Sequence, residues 1–443
     1  MSRQALSRSA ILWIIAVIGV TIVIIFGINL LPQRLTALRS DRRQVRIYYA
    51  DNISPAHQEI IDRFNRDYAG RIEVVPIDLP FTRFTTNERK ELLARSLRSG
   101  NSQIDVFAVD QIWVSRFARW GERLEPYFPP DTLRNVVGYG LETCYYEGDL
   151  VALPLYLDIG VLFYRKDLIS ALPDGAEWER KIQRSLTWQE LLDFQRKYYP
   201  GQPVLSLQAA GYEGLICNYL EVMGAAGGDL ITSRAFRLTD PRAEAACQLL
   251  VDLVHRYHAV PEEVTHFNEN ESYLYGLQHD LPLIRGWPSM TQDTSYLGSA
   301  ARKVNRLGLA PLPHFAGEAP ASVFGGWNLM VSRFSEHKEE AITFIRYLLS
   351  LNSQQILYEA GHYLPVRTEL YEPEAGLSHP DRIAFLKQLL RQGIHRPAHV
   401  NYTRISDVLS EALNETIRRN ADVDSTLSAM EQEIRRLLGE RQP

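Results

Sequence analysis

VRIYYADNISPAHQEIIDRFNRDYAGRIEVVPID, residues 45–78, carries the pattern that decides the architecture. Val45–Ala50 has the β-branched and aromatic content of a strand. Ser54-Pro55 is a helix N-cap followed by proline at the first helical position. Ile60, Ile61, Phe64 and Tyr68 then recur at helical spacing, and Gly70 ends the helix. Arg71–Asp78 reads as a second strand, interrupted by Pro76. The pattern repeats downstream. Asn87 is expected to cap a helix bearing Leu92, Leu93 and Leu97 up to Gly100, and Ile104–Asp110 is a third strand, with a helix to Gly121 after it. This β-α-β-α-β-α order predicts a parallel sheet covered by helices.

Ligands of such sheets sit outside the carboxyl ends of the strands. Those ends are Asp51-Asn52, Asp78 and Asp110. Delivered to one edge, their carboxylates suit a ligand rich in hydroxyl donors; equally, such acids cap the next helix or lie solvated in turns. Further along, Thr187-Trp-Gln-Glu190 is a capping box opening a helix to Tyr199. Helical patterns follow over Gly214–Gly224, Pro241–His258 and Glu271–Gln278, interrupted by short apolar segments at Val204–Leu207, Leu283–Arg285, Leu307–Leu309 and Asn328–Val331. Two amphipathic helices close the chain, one with Ile405, Leu409 and Leu413, the other with Leu427, Met430 and Ile434.

The chain has 443 residues, beyond the roughly 250–300 at which one core stops growing, which predicts two lobes. Residues 1–46 hold seven arginines against Asp41 alone, so the remainder carries 41 basic and 52 acidic side chains, a net charge of −11. A body that acidic does not grip nucleic-acid phosphates. Cys144, Cys217 and Cys247 make no disulfide framework and fit no zinc module; at most one pair, such as Cys217 with Cys247, could bridge.

Ile11–Leu31 is a 21-residue stretch without a charge, preceded by Arg3 and Arg8. It is long enough to span the ~30 Å hydrocarbon layer as a helix. No small-x-small cleavage site and no cysteine that could take a lipid follows it, so an uncleaved transmembrane anchor is expected. The five arginines between 34 and 46 would by the positive-inside rule favour a cytoplasmic flank.

Sequence motifs for several chemistries are missing. There is no GxxxxGK[ST] loop, no GxGxxG between strand and helix, no GxSxG elbow and no HExxH helix. His255, His258 and His266, near Glu262 and Glu263, could be drawn as a metal cluster, but Pro261 breaks the helix before His266. A sugar-binding cleft and a glycosidase with paired carboxylates would look alike at this level.

A collinear set of motifs runs through Asp105-Val-Phe-Ala-Val-Asp110, Pro154-Leu-Tyr156-Leu-Asp158-Ile-Gly160 and Thr187-Trp188. It continues through Trp287-Pro288, Gly308-Leu-Ala-Pro311-Leu-Pro313, Gly325-Gly-Trp327, Leu364-Pro-Val-Arg367, Arg396-Pro397 and Tyr402-x-x-Ile-Ser406-Asp407. In these motifs the chain resembles the extracellular solute-binding proteins of family 1, the sugar receptors of ABC importers, and most of all their trehalose/maltose-binding branch. The resemblance covers nearly all of residues 45–440.

The resemblance implies a periplasmic-binding-protein-like fold: two α/β lobes with a hinge and an interlobe ligand cleft, here preceded by one N-terminal transmembrane helix. Residues 1–44 would be anchor and basic linker, 45–154 with 305–350 the first lobe, and 155–304 with 351–443 the second. Crossovers are expected near Pro154–Asp158, Arg302–Leu307 and Leu349–Gly361. It implies a substrate-binding protein, not an enzyme, with no cofactor and no metal, working as a monomer on the periplasmic face. Its partners would be a di- or oligosaccharide, ABC permease subunits and, through them, the ATPase.

Sugars need planar polar groups for their hydroxyls and an aromatic platform for their C–H face. On that basis Asp110 and Asp158 would accept hydroxyl hydrogen bonds, Arg367 would donate a forked pair, and Asn52 or Asp51 would add a contact. Trp287, Trp327, Tyr156 and Trp113 are the stacking candidates, with core packing as the ordinary alternative for each. Gly286 and Gly326, preceding two of them, let the backbone approach a ligand. Two other functions remain open at this stage, a carbohydrate-active enzyme and a membrane-tethered sugar sensor.

Overall fold

The caps explain where the helices begin. In the computed structural model, which describes residues 44–100, 103–224, 230–232, 236–291 and 294–439, the Ser54 side chain accepts the His57 N–H and Pro55 opens the first helix. The apolar stretch Ile11–Leu31 and its arginine flank lie outside the described residues, and among those described no helix is long and apolar enough to cross a membrane. The first elements are β1 (Val45–Asp51), α1 (Pro55–Asp67), β2 (Ile72–Asp78), α2 (Thr86–Arg98) and β3 (Val106–Asp110). The cap of α2 is Thr85, not Asn87: its hydroxyl accepts the Glu88 N–H while Glu88 takes the Thr85 N–H, a reciprocal box that starts the helix two positions earlier. The expected helix to Gly121 is instead a single α-turn, Val114–Phe117, between two 3-10 turns, because the Asp110 carboxylate draws the Ile112 N–H into a tight start.

The chain continues through β4 (Leu153–Ile159), β5 (Val161–Arg165), α3 (Gly175–Arg184), α4 (Trp188–Tyr198), β6 (Leu205–Ser206) and α5 (Glu213–Met223). Next come α6 (Pro241–His255), α7 (Glu269–Gln278), β7 (Leu283–Gly286), β8 (Leu307–Ala310) and β9 (Ser322–Val331). The rest is α8 (Lys338–Leu348), α9 (Leu351–Gly361), α10 (Pro380–Leu390), β10 (Gly393–Ile394), α11 (Tyr402–Arg419) and α12 (Val423–Leu438). The α4 capping box on Thr187 and Glu190 forms as the sequence predicts. Helix α6 stops three residues short of His258, which takes a left-handed φ of 50°.

These strands make two principal sheets. The first has the order β10-β9-β3-β1-β2, with β4 on the other side of β9. β1 and β2 run parallel with Asp51 opposite Asp78, and β1 and β3 are parallel too, so Asp51, Asp78 and Asp110 do end on one edge. Pro76 is tolerated because β2 is the edge strand. β9 runs parallel to β10 but antiparallel to β3 and β4, and it sets Trp327 beside Asp110 on one side and Tyr156 on the other. The second sheet is β8-β5-β7-β6. Along β5 the residues alternate: Leu162 and Tyr164 enter the core under α4–α6, while Val161 and Phe163 face the opposite core.

The chain passes between the sheets at Gly160, at residues 311–321 and at residues 391–401. These passages meet at the start of β9: the Gly160 N–H donates to the Val323 carbonyl at 3.1 Å, and β10 pairs with Ser322 and Val323. β8 pairs with β5 in the second sheet, and α8 and α9 pack on α1 of the first. The stretch Leu349–Gly361, where the sequence suggests a crossover, is thus mostly α9, because its apolar side, Leu357 and Tyr358, joins the core of the first sheet. Cys144, Cys217 and Cys247 are buried and free, so the pairing of Cys217 with Cys247 left open above is not made.

Candidate functional site

The carboxyl edge of the first sheet faces the N-terminal ends of α5 and α7 and the turn after β7, across a cleft of about 850 Å³. That volume lies in the upper part of the roughly 300–1,000 Å³ range of small-molecule sites. The walls alternate aromatic rings, chiefly Phe81, Tyr156, Trp287 and Trp327, with carboxylates from Asp78, Asp110, Asp158, Glu213 and Glu269.

The first wall is built on β9. Gly326 has φ +136°, and a Cβ there would lie 2.6 Å from the Tyr156 carbonyl, so glycine alone lets β9 and β4 close up. The bend that follows, marked by a register shift between Trp327 and Asn328, turns the indole to the cleft. Phe81 approaches Trp327 edge-on, with centroids 5.4 Å apart. Phe81 belongs to the loop after β2, whose residues 79–85 all line the cleft. Its N–H donates to Asn52 Oδ1 at 3.2 Å, and its carbonyl accepts from Asn270 Nδ2 of α7 at 2.9 Å. The loop is therefore held from both sides of the cleft. On the facing wall Trp287 lies over the Arg285 guanidinium, 4.2 Å from ring centre to cation, and over Gly325.

The carboxylates fall into two groups. Asp110 is bridged by Arg396, with contacts of 2.6 and 3.2 Å, and the same guanidinium reaches Glu213 Oε1 at 3.1 Å. Glu213 also accepts from the Tyr402 and Ser406 hydroxyls, both at 2.6 Å. This buried network ties the end of β3 to the start of α5 through residues 391–401. Asp158 has no such partner: Ser289 Oγ donates to it at 2.5 Å and the Ile159 N–H at 3.1 Å. Burial pushes its carboxyl up to about 7, against the opposing pull of those hydrogen bonds and of the Arg285 and Arg382 charges. Burial likewise raises Glu269, and it holds the Tyr156 phenol protonated well above its ordinary range.

The raised Asp158 has a consequence for stability. The folded chain keeps this proton up to about pH 7, whereas the unfolded carboxyl, with a value near 3.8, releases it earlier. Its contribution is therefore fully present below the unfolded value and declines as pH rises toward 7. Melting curves between pH 4 and 8 should show this decline, and Asp158→Asn should flatten it. An unchanged slope in the variant would assign the decline to other groups.

Asn52, Asp110, Tyr156, Asp158, Trp287, Gly326 and Trp327 all line the cleft. Arg367 does not. Its guanidinium is occupied by Glu369, at 2.6 Å, and by the Leu349 carbonyl, and its backbone bridges to Val136. The guanidinium beside Asp110 is that of Arg396. Asp51 is buried behind the wall, bonded to Tyr49 and Arg89. Trp113 is core: it is 1% exposed, beneath the Lys90 ammonium and beside Tyr402. Tyr164 and Tyr402 are likewise buried outside the cleft lining. Unforeseen members are Phe81, Tyr212, Tyr273, Glu269 and Ser289; for Phe81 the signal was available, since Leu79-Pro80-Phe81 directly follows the strand end at Asp78. Among the described residues no group of three or more side chains could hold a metal ion, and His255 instead meets the Ile417 carbonyl at 2.5 Å.

Comparison with known proteins adds to this geometry. The model of the bacterial extracellular solute-binding proteins matches residues 59–382. A probable ABC transporter-binding protein of Deinococcus radiodurans is 26% identical over 368 residues, 80% of this chain and 84% of that protein. Among solved structures, maltose-bound MalE3 of T. maritima aligns with a TM-score of 0.76 at 27% identity, over 89% of this chain and 100% of its own. The GacH receptor of Streptomyces glaucescens, solved unliganded and with acarbose, gives 0.75 at 20% identity over 90% of this chain and 100% of its own. The maltotriose binding protein of Thermus thermophilus gives 0.71 at 19% identity, over 89% and 100%. The architecture shared with these is the periplasmic-binding-protein-like α/β fold.

Proposed function

The chain belongs to the bacterial extracellular solute-binding proteins, a family that works outside the cytoplasm, and from that premise we propose that it captures a di- or oligosaccharide for an ABC importer. In this reading two lobes, residues 45–159 with 322–390 and residues 160–310 with 402–438, close over the sugar, and the closed monomer delivers it to a membrane permease. The residues before 45 anchor the protein through Ile11–Leu31 on the outer face of the cytoplasmic membrane. The observation that carries the reading is the cleft itself, where Trp327 and Trp287 stand on opposite walls among carboxylates that accept hydroxyl hydrogen bonds. The maltose and maltotriose of the similar proteins support a glucose-based ligand.

A disaccharide of about 23 heavy atoms, at roughly 0.3 kcal/mol per atom, would bind with about −7 kcal/mol, a micromolar Kd. The test is a thermal-shift screen of mono-, di- and trisaccharides followed by calorimetry. A sugar at 100 times its Kd adds about 2.7 kcal/mol to stability, which raises the melting temperature. Absence of any shift at millimolar sugar would end the proposal.

In the closed state Asn270 should act as a latch through its bond to Phe81. One such hydrogen bond is worth about 1 kcal/mol. Asn270→Ala is therefore expected to speed sugar release about fivefold with little change in association, read by stopped-flow fluorescence. An unaltered release rate would mean that the bond does not hold the closed state.

A further inference from the structure

Arg89, on α2, stands immediately behind the first wall of the cleft without reaching it. It is 0% exposed and is absent from the lining, so it touches no ligand in the cleft. Its Nη2 donates to Asp51 Oδ1 at 2.8 Å, and that carboxylate is itself fixed by the Tyr49 hydroxyl at 2.5 Å and the Asn52 N–H at 2.7 Å. Nε and Nη1 have no hydrogen-bond partner. The guanidinium carbon lies 3.9 Å from the centre of the Trp327 ring and 4.3 Å from that of Phe81.

Burying a guanidinium with donors unmet is unfavourable, and an apolar side chain of similar length would fill the space without that penalty. What the apolar chain could not supply is a flat cation that lies against an indole face and is anchored at its other end. The backbone of β9 sets the Cα of Trp327, but the rotation of the ring depends on what it rests against. Phe81, carried on a loop, depends on its neighbours even more. We infer that Arg89 is a positioning residue: tied to Asp51 and resting against Trp327 and Phe81, it orients the aromatic face that the ligand meets. The inference builds on the sugar-binding reading of the cleft for its consequence, but not for its geometry.

The test has one arm that needs no ligand. The near-ultraviolet circular dichroism of the protein minus that of Trp327→Phe isolates the Trp327 signature. Arg89→Met is expected to lose most of that signature with its far-ultraviolet spectrum unchanged, and Arg89→Lys, charged but not flat, to restore only part. In the second arm, calorimetry with maltose, Arg89→Met should weaken binding at least tenfold. The double variant with Trp327→Phe should then be no weaker than the worse single. A folded Arg89→Met that keeps the indole band and binds maltose within twofold overturns the inference. Should Arg89→Met not fold, Asp51→Asn, which releases the anchor, is read by the same criteria. Should no sugar of the screen, maltose included, bind the parent protein, the sugar reading is what fails, and the dichroism alone decides for or against Arg89.

Discussion

Replacing Trp287 by alanine is expected to abolish measurable sugar binding while leaving the fold intact. The indole is only partly buried and follows the end of β7, so its removal opens no deep cavity. Its position over Arg285 and Gly325 leaves a ring face for the cleft, supported from behind by a cation that is itself locked to Glu221. Truncating a central aromatic anchor typically costs about 2–4 kcal/mol. Set against about −7 kcal/mol in total, that moves a micromolar Kd toward the millimolar range. Calorimetry against the best sugar of the screen, with circular dichroism to check folding, decides the matter. Unchanged affinity would remove Trp287 from the site.

The second large effect is expected at Gly160. A Cβ there would lie 1.9 Å from Glu221 Oε1 and 3.1 Å from Arg285 Nη2. The carboxylate cannot swing aside easily. It is held by two bonds from Arg285, at 2.7 and 2.9 Å, and by the Val323 N–H at 3.2 Å, with both charged side chains 4% exposed. Disrupting a buried pair of this kind costs about 3–5 kcal/mol. Gly160→Ala should therefore unfold at clearly lower urea and melt earlier than the parent, and should bind sugar less well because the distortion falls where the sheets join. A variant as stable as the parent would show that Glu221 has room to move.

The fold was legible where local rules are strong. The β1-α1-β2 pattern, the Ser54-Pro55 start and the Thr187–Glu190 box all form, and the parallel register of β1, β2 and β3 brings their acids to one edge as the pattern predicts. The side chains of the cleft were legible where the backbone announces them, as with Gly326-Trp327 and Asp158. What could not be read was which of several like residues the tertiary fold selects. Arg367 and Arg396 both occur in family-like motifs, yet one is consumed by Glu369 and the other meets Asp110. That choice depends on the path of residues 391–401 between the sheets, which no local pattern encodes. Trp113 failed for a related reason: a tryptophan after a strand end can face the cleft or the core, and the tight turn begun by Asp110 directs it inward.

In the closure proposed above, the convergence of Gly160, residues 311–321 and residues 391–401 on Ser322–Val323 makes that point the expected pivot. Atoms near that point barely travel when the halves rotate, while those at the far rim travel on a long lever arm. Asp158, paired with Gly325, and Arg396, two residues beyond Ile394, are on the short arm, and the bond between Phe81 and Asn270 is the contact expected to move. Rotation would therefore make and break the rim contact while the carboxylates nearest the pivot stay nearly in place. Fluorophores at the rim would then report opening far more sensitively than any probe near Val323.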